Sequence, residues 1–147
     1  MPHTYLVVSD DEVFTLVRDL LTSERRAIFH APSGLAALEW LAKRRGPTVV
    51  LVDLPLADMS GGELVESLRA DAELRRSVAV VCLASAGVRV PHRAFRVVRK
   101  PSRACDLVAA IDDARRQLAV RGVAAPESAL DRYLVWRSRR GARGALI

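Results

Sequence analysis

"VVLVDLPLADMSGGEL", Val49 to Leu64, sets the frame in which the rest of the chain is read. Its first half is apolar at every position until Asp53, with none of the polar alternation of a half-exposed strand. A strand apolar on both faces belongs in a parallel sheet covered by helices on both sides. The run then stops on a carboxylate, turns through Pro55 and Ser60, and enters a helix at "GGEL". In such sheets ligand sites form outside the carboxyl ends of the strands, which is where Asp53 stands.

Outward from that strand the same alternation recurs. "TYLVV" (Thr4 to Val8) is a short apolar run ending in "SDDE", and Val13, Phe14, Val17, Leu20 and Leu21 follow at helical spacing. "AIFHA" (Ala27 to Ala31) reads as a second strand. Pro32, Ser33 and Gly34 then turn the chain into "LAALEWLAKRR", apolar at Leu35, Leu38 and Leu41 and closed by Gly46 and Pro47. "GGELVESLRADAEL" reads as one helix with Leu64, Val65 and Leu68 on one face. "SVAVVCLA" (Ser77 to Ala84) is the fourth strand and "FRVV" (Phe95 to Val98) the fifth. Ser102 is placed to cap "RACDLVAAIDDARRQLAV", with Leu107, Val108, Ile111, Ala114 and Leu118 inward and Gly122 as its stop. Strands taking turns with amphipathic helices define a doubly wound α/β class. Residues 1–121 are expected to form this domain, and residues 122–147 a linker and basic helical tail.

A chain of 147 residues with 50% hydrophobic content is ample for one core. No apolar run approaches the roughly 18 residues that span a membrane, and the N-terminus has neither a basic n-region nor a cleavage-like site. Cys82 and Cys105 lack metal-ligand spacing and read as small buried side chains, so a cytoplasmic protein without a disulfide is expected. The formal charge of +6 is uneven: Leu74 to Cys105 holds Arg75, Arg76, Arg89, Arg93, Arg96, Arg99, Lys100 and Arg103 with no acid. Such a balance attracts nucleic acid or acidic proteins, and equally suits dispersed, solvated arginines. Only Tyr133 and Trp136 interleave with the tail's arginines and no helix-turn-helix or zinc spacing follows, so an acidic protein partner is expected ahead of nucleic acid. In the tail, Pro126 opens a short helix with Leu130, Tyr133 and Leu134 along one side and Trp136 as an anchor. That stripe suits packing on the domain, a second copy of the chain, or another partner. His3, His30 and His92 lack metal or triad spacing, and no nucleophile elbow or glycine-rich phosphate loop is present, so no stand-alone hydrolase or other enzyme is expected.

The chemistry concentrates at the strand ends. Asp10 and Asp11 follow strand one and Asp53 ends strand three, so these acids are neighbours if the two strands pair. Clustered carboxylates repel unless a cation sits between them, and Mg²⁺ is a natural partner for carboxylate and carbonyl oxygens. Lys100, ending strand five, adds a second positive charge. An aspartate held between a metal and a lysine is suited to attack a phosphoryl group, because both cations neutralise charge on the transferring oxygens.

An acid after strand one, an acid after strand three and Lys-Pro after strand five resemble the CheY-like receiver domains of two-component response regulators. The resemblance covers about Tyr5 to Arg121 and rests on "LVVSDDE", on Ala31, Gly34, Ala37 and Leu38 in "HAPSGLAALEWL", on "VVLVDLPLADMSGGEL" and on "VVRKP". It implies a five-stranded sheet of order 2-1-3-4-5. It also implies Asp53 as phosphoacceptor, Lys100 as phosphate contact, and Mg²⁺ held by Asp10, Asp53 and the backbone carbonyl of Pro55. Met59 and Gly61 fall where the family's loop after the phosphoacceptor has a methionine and a glycine.

The departures are as informative. The family has two adjacent acids after strand one; here Ser9 takes the first position, with Asp11 as an alternative second acid. Ala57 stands where the family has a proline, and Pro55 and Asp58 are rearranged around it. The family's threonine or serine at the end of strand four falls on Ala84 in the preferred register, with Ser85 one step later. The family's aromatic switch falls on Val97, with Phe95 two residues before it on the same strand face. "SAGVRVPHRAF" is short and has no helical stripe, so the helix between strands four and five is expected to be shortened or lost.

Two readings follow from the resemblance. In one, a histidine kinase or phosphotransfer protein phosphorylates Asp53 and the added charge controls protein binding. In the other, a degenerate receiver serves as a phosphorylation-independent scaffold, since the hydroxyl and aromatic relay is incomplete. In both, the expected partner face is Arg89, Arg93, Phe95, Val97, Arg99 and Trp136, presented to an acidic protein, and a homodimer is a further candidate.

Overall fold

A computed structural model describes residues 4–21, 27–44, 46–90, 96–100 and 103–121. In chain order the elements are β1 (Thr4–Val8), α1 (Asp11–Leu21), β2 (Ala27–Ala31), α2 (Gly34–Lys43), β3 (Thr48–Leu54), α3 (Gly61–Ala70), α4 (Ala72–Ser77), β4 (Val78–Ala84), β5 (Arg96–Arg99) and α5 (Ala104–Val120). The strands form one parallel sheet in the order β2-β1-β3-β4-β5. This is the doubly wound class that the strand and helix alternation implies, in the flavodoxin-like strand order that the resemblance implies.

Side-chain alternation divides the core in two. Tyr5, Val7, Val49, Leu51, Val81 and Leu83 face α1 and α5, meeting Val17 and Leu21 of α1 and Leu107, Ile111, Ala114 and Leu118 of α5. Leu6, Val8, Val50, Val52, Leu54 and Cys82 face the other layer, meeting Ala37 and Leu41 of α2 and Leu64, Val65 and Leu68 of α3. Both alternate sets of β3 are therefore buried, which is why its sequence carries no polar break.

Several local expectations are corrected. The single helix read across "GGELVESLRADAEL" is broken at Asp71, whose backbone is extended and whose Oδ1 accepts from the N–H groups of Glu73 and Leu74. An Asx cap competes with helix continuation, so α3 ends and α4 begins there. Leu35 is 57% exposed, because α2 buries Gly34, Ala37 and Leu41 and leaves Leu35 outside that stripe. Cys105, expected to be buried, is exposed in the first turn of α5. Cys82 is enclosed, and burial pushes its thiol pKa up to about 12. β5 runs Arg96–Arg99 rather than from Phe95, which lies outside the described residues. α5 starts after Arg103, whose N–H donates to Asp106 Oδ2 at 3.4 Å; Ser102 lies outside the described residues.

Between β4 and β5, residues 85–90 contain a turn and no helix. Residues 91–95 and the expected tail helix, with Arg93, Gly122 and Trp136, fall outside the described residues. Among the described residues no helix is long and apolar enough to cross a membrane.

Candidate functional site

Three strand ends build the site. Alternation along β3 puts Asp53 on the same side as Val49 and Leu51, toward α1 and α5. On β5 the buried Val98 faces that side, so Lys100, two residues on, arrives beside Asp53 and its Nζ pairs with Asp53 Oδ1. The Asp53 side chain is 16% exposed and that of Lys100 33%. The Lys100 N–H donates to the carbonyl of Ala84 at 2.8 Å, which fixes the end of β5 against β4. Partial burial lowers the effective dielectric and strengthens this pair relative to a surface one.

The end of β1 is also tightly held. Ser9 is buried; its N–H donates to the Ala31 carbonyl at 3.1 Å and its hydroxyl to the Asp10 carbonyl at 2.9 Å. Asp10 Oδ1 accepts from the Val13 N–H at 2.9 Å, capping α1. Asp11 is exposed in the first turn, with Oδ1 3.7 Å from His30 Nδ1. His30 stacks on Phe14 with ring centroids 4.6 Å apart, and its Nε2 lies 2.6 Å from the Ser9 carbonyl. The lack of metal or triad spacing around His30 gave no sign of this contact, which the pairing of β1 with β2 brings about.

Among the described residues there is no cluster of three or more acidic, histidine or cysteine side chains arranged for a metal. Mg²⁺ does not need one, since it is commonly bound through one or two carboxylates with water completing the octahedron. Asp53 and Asp10 each commit one oxygen to Lys100 and to the α1 cap respectively, and each keeps its other oxygen. With the Pro55 carbonyl two residues after Asp53, the donors offered are of the oxygen type that Mg²⁺ takes.

The register places Ala84, one of the two hydroxyl-switch candidates. Ala84 pairs with Leu54, faces the α2–α3 layer with no exposed surface, and stands on the side opposite Asp53. Leu83 pairs with Asp53, and Ser85 follows Ala84 as the first residue beyond β4.

Asp58 was noted in the sequence only as a displaced acid. Its Oδ1 accepts from the Gly34 N–H at 3.0 Å and its Oδ2 from the Leu35 N–H at 2.9 Å, clamping the loop after β3 to the start of α2. A Cβ on Gly34 would stand 2.6 Å from Met59 Sδ, so glycine lets the same loop sit against the helix. The Leu35 and then the Gly34 N–H hold the Asp58 pKa below its ordinary 3.8. A depressed carboxylate pKa adds stability above the unfolded value and loses it as pH falls through the folded one. Asp58→Ala is therefore expected to lower the Tm at neutral pH, with the deficit shrinking as pH drops below about 3.8. Thermal unfolding of both proteins between pH 7 and pH 3 checks this, and a deficit independent of pH would contradict it.

On the expected partner face, Arg89 is exposed and Val97 is 40% exposed. Arg99 is exposed at its surface but engaged, donating from Nη1 to the Val88 carbonyl at 2.8 Å and to the Ser85 carbonyl at 3.4 Å. The neighbouring Arg96 pairs with Asp113 Oδ2 at 2.7 Å, and Arg116 pairs with the other oxygen of Asp113. The hydrogen bond from Arg116, aided by Arg96, lowers the Asp113 pKa despite its desolvation. The acid-free stretch is thus partly neutralised by acids of α5.

Comparison with known proteins shows the family. Residues 5–112 match the response regulator receiver domain family. The polar-differentiation response regulator DivK of Brucella anthropi is 34% identical over 90 residues, covering 59% of this chain and 72% of that protein. The structure of the response regulator StyR superposes with a TM-score of 0.72 at 25% identity, covering 85% of this chain and 65% of StyR. A CheY-like receiver domain protein from Methanospirillum hungatei gives a TM-score of 0.64 at 20% identity, over 85% of this chain and 98% of that one. With its parallel sheet in the order β2-β1-β3-β4-β5 and Asp53 paired to Lys100 at the sheet's edge, the chain belongs to the response regulator receiver domain family.

Proposed function

We propose that Asp53 accepts a phosphoryl group and that the modified domain acts by binding another protein. The observation that carries this reading is the pairing of Asp53 with Lys100 across β4, both side chains partly buried. Receiver domains of this family generally work with Mg²⁺ and with a histidine kinase or phosphotransfer protein as donor.

An Asp53 oxygen attacks phosphorus in line with the leaving group, and the P–N bond of a phosphohistidine breaks as the new P–O bond forms. The departing imidazole keeps the electron pair and takes a proton from solvent. With acetyl phosphate the bond broken is P–O and acetate leaves. Lys100 balances charge on a phosphoryl oxygen, and its chain is held ready by the bond to Ala84. Mg²⁺, when bound through Asp10, Asp53 and the Pro55 carbonyl, supplies the rest of the charge neutralisation. Each acceptance consumes one donor, so the chain acts as a switch rather than as a stand-alone enzyme, with the cytoplasm as its expected compartment. The output is carried by surface charge of roughly −2 added beside β4 and β5.

The test is intact mass after incubation with Mg²⁺ and acetyl phosphate. A phosphorylated species in the native protein and none in Asp53→Asn is the expected result. No modification of the native protein would favour the second reading, a phosphorylation-independent scaffold. That reading draws on Ser9 standing where the family has an acid and on the absence of an aromatic at Val97.

A further inference from the structure

The turn after β4 is held by the packing of Val88 against the core and by the Arg99 side chain. Ser85, Ala86, Gly87 and Val88 form a tight turn closed by the Val88 N–H donating to the Ser85 carbonyl at 3.1 Å. Gly87, with φ +81°, supplies the positive φ that a type II turn requires at its third position. The Arg99 guanidinium reaches across from β5 and donates to both ends of this turn, the Ser85 and Val88 carbonyls. Arg99 can do so because alternation puts it on the side of β5 away from α5, opposite Ala84, where no described helix intervenes. The next residue is Lys100, whose side chain holds Asp53 and whose N–H holds Ala84. One dipeptide, Arg99-Lys100, thus ties together the turn, the end of β4 and the acceptor carboxylate.

The geometry points to Arg99 as a positioning residue that sets Ser85 over Asp53. This inference rests on the proposed phosphoacceptor role of Asp53. Ser85 is the first residue after β4, two on from the Leu83 that pairs with Asp53, and its carbonyl is pinned by Arg99 and by the Val88 N–H. With the backbone fixed, its hydroxyl is offered to a phosphoryl oxygen on Asp53 without first having to order a loop. Arg99 does here for the loop what packing beneath a helix would do, through hydrogen bonds from a rigid planar fork.

The test uses the full chain with Arg99→Gln, Arg99→Lys, Ser85→Ala and the double variant Arg99→Gln/Ser85→Ala. Amide hydrogen exchange without ligand reads the turn; binding of beryllofluoride with Mg²⁺, followed by amide chemical shifts, reads the site. Arg99→Gln is expected to speed exchange at Val88 and to weaken beryllofluoride binding roughly tenfold, as for one charge-assisted hydrogen bond. Arg99→Lys keeps one carbonyl contact and falls between. In the Ser85→Ala background Arg99→Gln is expected to cost little more, because the residue through which it acts is gone. Unchanged Val88 exchange, or an undiminished Arg99→Gln effect without the Ser85 hydroxyl, would overturn the assignment. A native protein that fails to bind beryllofluoride while Arg99→Gln still speeds Val88 exchange would overturn the phosphoacceptor reading, and the positioning role with it, while leaving the turn contact as structure.

Discussion

Lys100→Ala is expected to slow phosphoryl acceptance from acetyl phosphate by on the order of 10²- to 10³-fold, the usual cost of removing one preorganised group that meets developing charge. Lys100 sits past the end of β5 with its side chain 33% exposed, so the packed part of the sheet beneath it is untouched by the change. Its backbone N–H, which holds the Ala84 carbonyl, is retained in the variant. What disappears is the side-chain cation that pairs with Asp53 among the described residues. Lys100→Arg restores the charge with a flat fork in place of a compact ammonium and is expected to recover only part of the rate. The measurement is the initial rate of phosphoprotein formation by intact mass, with thermal unfolding run in parallel. A rate equal to that of the native protein would mean the ion pair holds the strand ends together and takes no part in the transfer.

The second large effect is on stability. Ile111→Ala should destabilise the fold by about 2–5 kcal/mol, since Ile111 has no exposed surface and fills the layer between α5 and the sheet. That is a large share of the ~5–15 kcal/mol typical of a domain. Leu16→Ala, at a position 60% exposed on α1, is the matched control and should change stability by no more than about 0.5 kcal/mol. Urea unfolding of the three proteins checks both values. Equal, small losses at the two positions would mean that α5 does not pack as described.

Much of the fold was legible in the sequence because burial on both faces leaves an unmistakable mark. Val49 to Leu54 is buried at every position except Asp53, which is half-buried at the edge, and the sequence shows that pattern directly. β1 and β2 have the bounds that their apolar runs suggested. Elements whose ends depend on one side chain's hydrogen bonds were less legible. Asp71 stops α3 by taking two backbone N–H groups, an option that helical periodicity does not reveal. Leu35 fits an apolar stripe on paper, but α2 rolls Gly34, Ala37 and Leu41 onto the sheet because the loop bearing Asp58 and Met59 meets its first turn.

The site divides along the same line. By itself the sequence determined which groups stand at strand ends: Asp10 after β1, Asp53 in β3 and Lys100 after β5, because apolar runs locate strands and polar residues mark where they stop. Which of those groups meet was decided by the tertiary structure alone. Strand order brings Lys100 across β4 to Asp53, register sets Leu83 beside Asp53 and Ala84 beside Leu54, and the clamp of Asp58 and the reach of Arg99 join segments 23 and 11 residues apart. Local pattern encodes burial, residue by residue; a contact between distant segments is encoded only in how the buried surfaces pack, and that is settled when the sheet assembles.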